Sequence, residues 1–324
     1  MHPQKVAFLD SVHPILEERL EASGMLPLHC ESVSRSDILN GHLSSKFGEI
    51  HGVVLRSRLR LDAEIFNALP HLKWIARSGS GLENIDTVEA EKRGIGVFNS
   101  PEGNAPSVGE HVVGQLLMLL HKLHHADRHV RSGQWDREAH RGKELSTMTV
   151  GIIGFGHMGR SVAKRLKGFG CRILVYDKYV HGFDGTDGVE EVTMEVLKTS
   201  ADIITLHIPL TGETKAMVDR EWLHSFANPI LFINSSRGGI VQTEALNEAL
   251  KDGSVQMAAL DVLEYELDSL EGLSEHPAAL NELLNNPSVV LSPHVAGWSV
   301  ESYHRLSDVL ADKILLFISE NEKV

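Results

Sequence analysis

The sequence predicts an α/β protein with two parallel sheets, each covered by helices. Its 324 residues exceed the usual size of a single hydrophobic core, so we expect two domains. Short apolar runs alternate with amphipathic segments along both halves of the chain, which is typical of parallel strands joined by helices. A glycine-rich turn follows one apolar run near the middle and opens a helix, as at the start of a doubly wound sheet.

The first hundred residues contain four apolar runs that we predict to be buried strands. These runs are residues 5–10, 52–57, 72–79 and 96–101. The intervening segments 13–24 and 61–70 have helical spacing and end in glycine or proline. The alternation predicts that the first domain is a parallel sheet with helices on its faces.

The rest of the chain predicts a second doubly wound sheet. Six apolar runs, at residues 149–154, 172–177, 201–209, 229–236, 255–263 and 288–294, are separated by helical segments such as 158–169, 215–226 and 242–252. Six strands with intervening helices are what one such sheet requires. The longest helical pattern, residues 104–133, begins at Pro106-Ser107 and ends at Gly133, and an amphipathic helix over 299–323 closes the sequence.

Composition excludes several classes of partner and compartment. The formal net charge of −13 argues against nucleic acid as the main partner. The two cysteines, Cys30 and Cys171, lie far apart, which fits a reducing compartment better than a disulfide framework. The first residues lack the features of a signal peptide, and no run is long enough to span a membrane. We therefore expect a cytoplasmic protein with no membrane partner.

The glycine-rich turn predicts a dinucleotide site. Gly154-x-Gly156-x-x-Gly159 follows the apolar run 149–154 and opens a helix, so a pyrophosphate would face the positive helix end. Asp177 ends the next apolar run, where its carboxylate would accept hydrogen bonds from the ribose hydroxyls and repel a 2′-phosphate. This combination predicts NAD in preference to NADP.

Three kinds of catalytic side chain follow three consecutive predicted strands. Arg237 lies in a glycine turn after 229–236, and its planar guanidinium suits a carboxylate ligand. Asp261, Glu264 and Glu266 follow the next strand, and His294 follows the last. Because strand carboxyl ends face the ligand crevice of such sheets, these groups are candidates for substrate binding and for proton transfer by imidazole.

Four segments in this order resemble the D-isomer-specific 2-hydroxyacid dehydrogenase family. They are GIIGFGHMGR, INSSRGGIV, AALDVLEYE and SPHVAGW, and the likeness extends over essentially the whole chain. The resemblance implies that Arg237 binds the substrate carboxylate and carbonyl, that His294 is the acid/base, and that Glu266 is its carboxylate partner. It also implies the residues that hold NAD, which besides the three glycines and Asp177 are His157, Met158, His207, Pro209, Ser235, Ser236, Asp261 and Gly297.

The resemblance further implies how the domains divide. Residues 1–100 plus 293–324 would form a discontinuous, flavodoxin-like substrate domain, with a Rossmann cofactor domain inserted over 101–292. The segments LRSR and RSGSGLENID resemble the substrate side of phosphoglycerate dehydrogenases and the family's glycine loop. With Arg58 adding positive charge, the implied substrate-binding residues are Arg56, Ser57, Arg77, Gly79, Ser80 and Gly81.

The function implied is hydride transfer between NAD and a small D-2-hydroxy acid or 2-keto acid. The segments LRSR and SPHVAGWSVES favour the pair 3-phosphoglycerate and 3-phosphohydroxypyruvate. A glyoxylate or hydroxypyruvate reductase is the alternative within the class. An NAD(H)-sensing binding protein of the co-repressor kind is the alternative from another class, because such proteins retain similar residues.

A histidine-rich stretch lies within the long helical pattern. His121, His125 and His129 form i, i+4 pairs that could hold a metal, but a solvated or subunit-contacting face is the more common use of such a stretch. We therefore predict no metal site there. The family likeness implies a homodimer through the 104–133 region.

Overall fold

The computed structural model describes residues 3–267, 272–273 and 277–321, and their backbone forms strands and helices in alternation. The strands are β1 (Lys5–Phe8), β2 (Leu26–His29), β3 (Gly52–Leu55), β4 (Trp74–Arg77), β5 (Gly96–Asn99), β6 (Thr149–Ile153), β7 (Arg172–Tyr176), β8 (Glu190–Glu191), β9 (Ile203–Leu206), β10 (Ile230–Asn234), β11 (Val255–Leu260) and β12 (Val289–Leu291).

The helices fill the connections between the strands. They are α1 (Ile15–Ala22), α2 (Arg35–Leu39), α3 (His42–Phe47), α4 (Ala63–Ala68), α5 (Thr87–Lys92), α6 (Pro101–Leu120), α7 (Leu123–Arg131), α8 (His157–Leu166), α9 (Met194–Ser200), α10 (Arg220–His224), α11 (Thr243–Asp252), α12 (Ala278–Asn285) and α13 (Val300–Asn321). None of these helices is long and apolar enough to cross a membrane.

The chain divides into two compact units. Within the described residues, the first unit comprises 3–104 and 298–321, and the second comprises 105–267, 272–273 and 277–297. The boundary on the N-terminal side falls within α6, and the C-terminal boundary falls between Gly297 and Trp298. One unit is therefore discontinuous in sequence, and the other is inserted into it.

The first unit is built on a five-stranded parallel sheet with strand order β2-β1-β3-β4-β5. Its central strands are buried on both faces, which is why they form continuous apolar runs in the sequence. One face packs under α1 and α13, and the other packs under α2 to α5. A Cβ at Gly52 would lie 2.2 Å from the Trp74 ring, so this glycine lets the indole pack across the sheet.

The second unit is built on a seven-stranded parallel sheet with strand order β12-β11-β10-β9-β6-β7-β8. The order reverses between β6 and β9, which is the topological switch point where doubly wound sheets bind ligands. The prediction of two doubly wound parallel-sheet domains is confirmed. Two edge strands, β2 and the two-residue β8, were not predicted because neither is a long apolar run.

The single helix predicted over 104–133 is wrong. Helix α6 begins at Pro101, contains Pro106 in its interior and ends at Leu120, and α7 begins at Leu123. Between them Lys122 adopts a left-handed backbone conformation with φ 51°. The amide of Lys143, returning from a later loop, donates to the carbonyl of Leu120 at 3.1 Å, so a contact distant in sequence replaces the next helical turn.

Candidate active site and dinucleotide turn

The turn between β6 and α8 is closed by two glycines. Gly154 has φ +97°, and a Cβ there would lie 2.4 Å from the carbonyl oxygen of His207. A Cβ at Gly159 would lie 2.0 Å from the carbonyl oxygen of Gly154. Both positions therefore require glycine, the first for its backbone conformation and the second for the close packing of helix on strand.

The second glycine of the motif faces open space. A Cβ at Gly156 would meet no atom of a distant residue within 4 Å, and Gly156 and His157 are exposed at the start of α8. Met158 turns inward against the core. The guanidinium of Arg160, in the same turn, lies 4.3 Å from the centre of the Phe155 ring. The amides at the start of α8, the helix dipole and this cation make the turn suitable for a pyrophosphate.

Asp177 follows β7 and is fixed by backbone amides. Its Oδ2 accepts from Phe155 at 2.6 Å, and its Oδ1 accepts from Tyr179 at 2.8 Å and Val180 at 2.9 Å. Burial raises the pKa of Asp177, but these hydrogen bonds outweigh it and leave the pKa below its usual value. The side chain is therefore a carboxylate at neutral pH.

The neighbouring Lys178 does not leave an uncompensated positive charge beside Asp177. Its ammonium pairs with Glu213, whose carboxylate also accepts from the Tyr179 hydroxyl at 2.5 Å. The anionic Asp177 is then the group that a 2′-phosphate would meet at this edge of the sheet. This arrangement fits NAD better than NADP.

His207, directly after β9, is a neutral ring. Its amide donates to Ile153 at 2.7 Å, and its Nε2 lies 3.0 Å from the Thr205 hydroxyl. Burial lowers the pKa of His207 to about 3, and its Nδ1 is buried with no partner among the described residues. In the loop that follows, the carbonyl of Pro209 accepts from the Thr214 hydroxyl at 2.6 Å.

The turn after β10 is organised by a buried residue that sequence reasoning missed. Asn234, 1% exposed, accepts from the amide and hydroxyl of Ser236 at 3.0 and 2.7 Å and donates to the carbonyl of Arg237 at 2.9 Å. A Cβ at Gly238 would lie 1.9 Å from the carbonyl oxygen of Leu263. The turn that carries Arg237 is thus pressed against the backbone of the loop after β11, and Arg237 Nη1 donates to the Ser236 carbonyl at 2.6 Å.

The structure brings Glu266 and His294 together. Glu266 Oε2 lies 2.7 Å from His294 Nδ1, and Oε1 accepts from the Leu263 amide at 2.5 Å. Because a carboxylate only accepts hydrogen bonds, Nδ1 carries a proton, and Nε2 has no partner among the described residues. Glu264 instead binds the amide and hydroxyl of Thr243, each at 2.8 Å.

Asp261 holds the loop that carries His294. This residue is 1% exposed, and its carboxylate accepts from the Ser292 hydroxyl at 2.5 Å and from the amides of Val295 and Ala296 at 2.9 and 2.8 Å. The His294 amide donates to the Asp261 carbonyl at 2.7 Å. These bonds hold His294 at φ 54°, a left-handed backbone conformation that residues other than glycine adopt uncommonly.

Three more polar residues of this unit were missed in the sequence. Ser292 stands two residues before His294, and His111 and Gln115 lie one helical turn apart on α6. His111 Nε2 is 3.0 Å and Gln115 Nε2 is 3.2 Å from Ser292 Oγ. Proximity to His294 could have identified Ser292, but no local pattern distinguishes His111 among nineteen histidines.

The predicted substrate-binding residues lie at the carboxyl ends of β3 and β4 in the first unit. The guanidinium of Arg56 stacks 4.0 Å from the centre of the Trp298 ring, and the Arg56 amide donates to Asp10 at 2.6 Å. Arg77 Nε donates to the Arg56 carbonyl at 3.1 Å. In the loop after β4, Gly79 has φ +153° and the Ser80 hydroxyl donates to Asn104 at 2.7 Å, and Ser57 and Gly81 lie in the loops after β3 and β4.

Arg58 is occupied by its own unit. Its Nε donates to Asp10 at 3.0 Å and its Nη1 to the carbonyl of Val33 at 2.9 Å, and Nη2 donates to the carbonyl of Leu9. The positive charge of Arg58 is thus compensated by Asp10, and its fork ties the strand ends together.

The second unit fits a dinucleotide on structural grounds. Two buried polar atoms, Nδ1 of His207 and Oγ of Ser235, have no partner among the described residues, and both belong to loops predicted to line the cofactor. Gly297 lies in the loop after His294 at the end of the same unit. Across the described residues, no group of three or more His, Cys, Asp or Glu side chains is arranged to hold a metal ion.

Comparison with known proteins places these features in a family. Residues 113–296 match the model of the D-isomer specific 2-hydroxyacid dehydrogenase NAD binding domain. The D-3-phosphoglycerate dehydrogenase of Archaeoglobus fulgidus is 35% identical over 306 residues, which cover 93% of this chain and 55% of that enzyme. The chain therefore spans about half the length of that relative.

Two further similarities concern function and fold. The hydroxypyruvate reductase of Thermotoga maritima is 37% identical over 266 residues, which cover 82% of this chain and 84% of that enzyme. The structure of D-lactate dehydrogenase from Aquifex aeolicus, complexed with NAD and lactic acid, superimposes with a TM-score of 0.81 over 99% of this chain and 97% of the other, at 23% identity. That likeness shows the shared fold.

The glycine turn yields a matched pair of variants. Gly159→Ala forces a Cβ against a backbone carbonyl and should destabilise the protein by about 2 kcal/mol or more. Gly156→Ala enters open space, so it should leave the unfolding free energy within about 0.5 kcal/mol and weaken NADH binding at least about tenfold. Urea denaturation and NADH fluorescence titration measure the two effects, and equal losses of stability would contradict this assignment.

Proposed function

This chain belongs to the D-isomer-specific 2-hydroxyacid dehydrogenase family, and on that premise we propose that it is an NAD-dependent dehydrogenase of a small 2-hydroxy or 2-oxo acid. The observation that carries the proposal is the 2.7 Å contact between Glu266 and His294 in the unit that holds the dinucleotide turn. An imidazole with Nδ1 held by a carboxylate has one nitrogen free for proton transfer.

In the proposed reaction Arg237 holds the substrate carboxylate and its carbonyl oxygen. Bound NADH supplies the hydride for carbon 2. His294 gives the proton on Nε2 to the carbonyl oxygen, so the ketone becomes an alcohol and the ring becomes neutral. Glu266 stabilises the imidazolium before transfer and keeps the ring oriented. In the reverse direction neutral His294 takes the hydroxyl proton.

We propose that the substrate pair is 3-phosphohydroxypyruvate and 3-phosphoglycerate. Arg56 supports this choice, because its guanidinium lies over Trp298, 4.0 Å from the centre of the ring, and its backbone is fixed at both the amide and the carbonyl. The contact with Trp298 holds the guanidinium at the carboxyl end of β3, where its positive charge would attract a distal phosphate. By this proposal residues 1–100 plus 293–324 form the substrate domain, which includes most of the first unit.

Hydroxypyruvate or glyoxylate is the second candidate, and one observation favours it. Arg58, the other arginine of the LRSR segment, is paired with Asp10 and bound to two carbonyls. The positive charge near Arg56 is therefore smaller than the sequence suggests. Hydroxypyruvate has an uncharged distal group and glyoxylate has none, so neither needs more positive charge near Arg56 than this.

We propose that the protein is a homodimer through the 104–133 region, and the exposed side chains of α7 and the segment after it support this choice. Helix α7 buries none of its residues, and Leu123, Val130 and Trp135 are 53%, 53% and 81% exposed. Large apolar side chains clustered in one exposed segment are typical of a subunit contact. A second copy of this chain would cover them.

Replacing His294 tests the proton-transfer role. His294→Asn removes the acid/base, so kcat should fall about 10²- to 10⁴-fold while the Kd of NADH stays within about threefold. Steady-state kinetics with a panel of 2-oxo acids and fluorescence titration with NADH measure these values. Unchanged turnover of His294→Asn would refute the role of His294. If no 2-oxo acid of the panel supports NADH oxidation by the wild-type protein, the enzymatic function is refuted.

Replacing Arg56 tests the substrate. Arg56→Gln should lower kcat/KM at least about 30-fold for 3-phosphohydroxypyruvate and less than about threefold for hydroxypyruvate, because only the first carries a distal phosphate. The matched control is Arg60→Gln in the same loop. Equal losses for the two substrates, or a wild-type preference for hydroxypyruvate, would assign the chain to the second candidate.

A further inference from the structure

Helix α6 contacts the loop of His294 through the Ser292 hydroxyl. Ser292 Oγ lies 2.5 Å from Asp261 Oδ1, 3.0 Å from His111 Nε2 and 3.2 Å from Gln115 Nε2. His111 Nε2 is also 3.5 Å from Asp261 Oδ1. Gln115 is 4% exposed and Asp261 is 1% exposed, so these polar groups depend on one another for hydrogen bonds.

The donors and acceptors around Ser292 can be assigned. A serine hydroxyl has one hydrogen and two lone pairs. The carboxylate of Asp261 can only accept, so the hydrogen of Ser292 points to Oδ1. Both lone pairs then accept, one from Gln115 and one from His111. His111 must therefore carry a proton on Nε2.

This assignment fixes the direction of a chain of hydrogen bonds. It runs from His111 and Gln115 to Ser292, and from Ser292 to Asp261. The carboxylate of Asp261 also accepts from the amides of Val295 and Ala296, which flank the histidine loop on its C-terminal side. Without donors on α6, the Ser292 hydroxyl is free to rotate and its bond to Asp261 loses direction.

We propose that His111 and Gln115 are positioning residues for His294, acting through Ser292 and Asp261. They touch none of the reacting atoms. They orient the Ser292 hydroxyl so that Asp261 keeps the loop closed and His294 stays at φ 54° with its ring on Glu266. The proposal rests on the proposed function, because it assigns how the proton-donating histidine is held for transfer.

The first test compares single-turnover rates at saturating NADH with the 2-oxo acid that the wild type reduces best. His111→Leu removes the donor and should lower the rate at least about tenfold, because small misplacements of a catalytic group are costly. His111→Gln restores an N–H at the same place and should remain within about threefold of wild type. The Kd of NADH should stay unchanged in both.

Coupling through one hydroxyl predicts non-additive losses. Ser292→Ala should lower the rate as His111→Leu does, and the double variant should lose no more than Ser292→Ala alone. Ser161→Ala is the matched control, since its hydroxyl also has two partners, the carbonyl of Ala105 at 2.6 Å and Arg165 at 2.8 Å, away from this loop. The proposal would be overturned if the rate losses of His111→Leu and Ser292→Ala add up in the double variant. It would also be overturned if Ser161→Ala lowers the single-turnover rate as much as Ser292→Ala does.

A second measurement needs no turnover and separates failure of the proposal from failure of the proposed function. In protein labelled with ¹⁵N-histidine, the signal lost in His111→Gln identifies His111. It should show a proton on Nε2 that exchanges slowly with water, and Ser292→Ala should speed that exchange at least about tenfold. An Nε2 without a proton, or exchange unaffected by Ser292→Ala, would overturn the assignment even if the enzyme is active.

Discussion

The rest of the proposed active site depends on the hydrogen bonds that the buried carboxylate of Asp261 accepts. It binds the hydroxyl of Ser292 and the amides on the far side of His294, and its own carbonyl accepts from the His294 amide. A buried charge is stable only when its hydrogen bonds are made, so the loop and the carboxylate hold each other in place. The left-handed conformation of His294 persists because this clamp offsets its cost of about 1–3 kcal/mol.

Backbone contacts connect Asp261 to the turn that carries Arg237 and to the loop that leads to Glu266. The amide of Asp261 donates to the carbonyl of Asn234, and Asn234 shapes the turn of Arg237. Gly238 then packs that turn on the loop that leads to Glu266. The carboxyl ends of β10, β11 and β12 are thereby joined at one edge of the sheet, where a guanidinium, a carboxylate and an imidazole would serve the proposed reduction of a 2-oxo acid.

The sequence predicts most strands of the two sheets and the side chains of the candidate site. It does not predict features that are determined by contacts between residues distant in sequence. Buried parallel strands are continuous apolar runs, so ten of the strands are visible, whereas β2 lies at an edge and contains Pro27. The break at Lys122 depends on the returning loop at Lys143. His111 is distinguished from the histidines of α7 only by its distance to Ser292, which no local pattern encodes.

In the proposed site, Asp261 acts by holding the loop of His294. The most direct measurement is the single-turnover rate of Asp261→Asn at saturating NADH, together with its NADH affinity. Asparagine at this position places an N–H donor against the backbone N–H donors of the loop. The single-turnover rate should therefore be at least about tenfold lower, while the Kd of NADH stays within about threefold of wild type. Weaker NADH binding with an unchanged rate at saturation would contradict it, because Asp261 would then serve the cofactor alone.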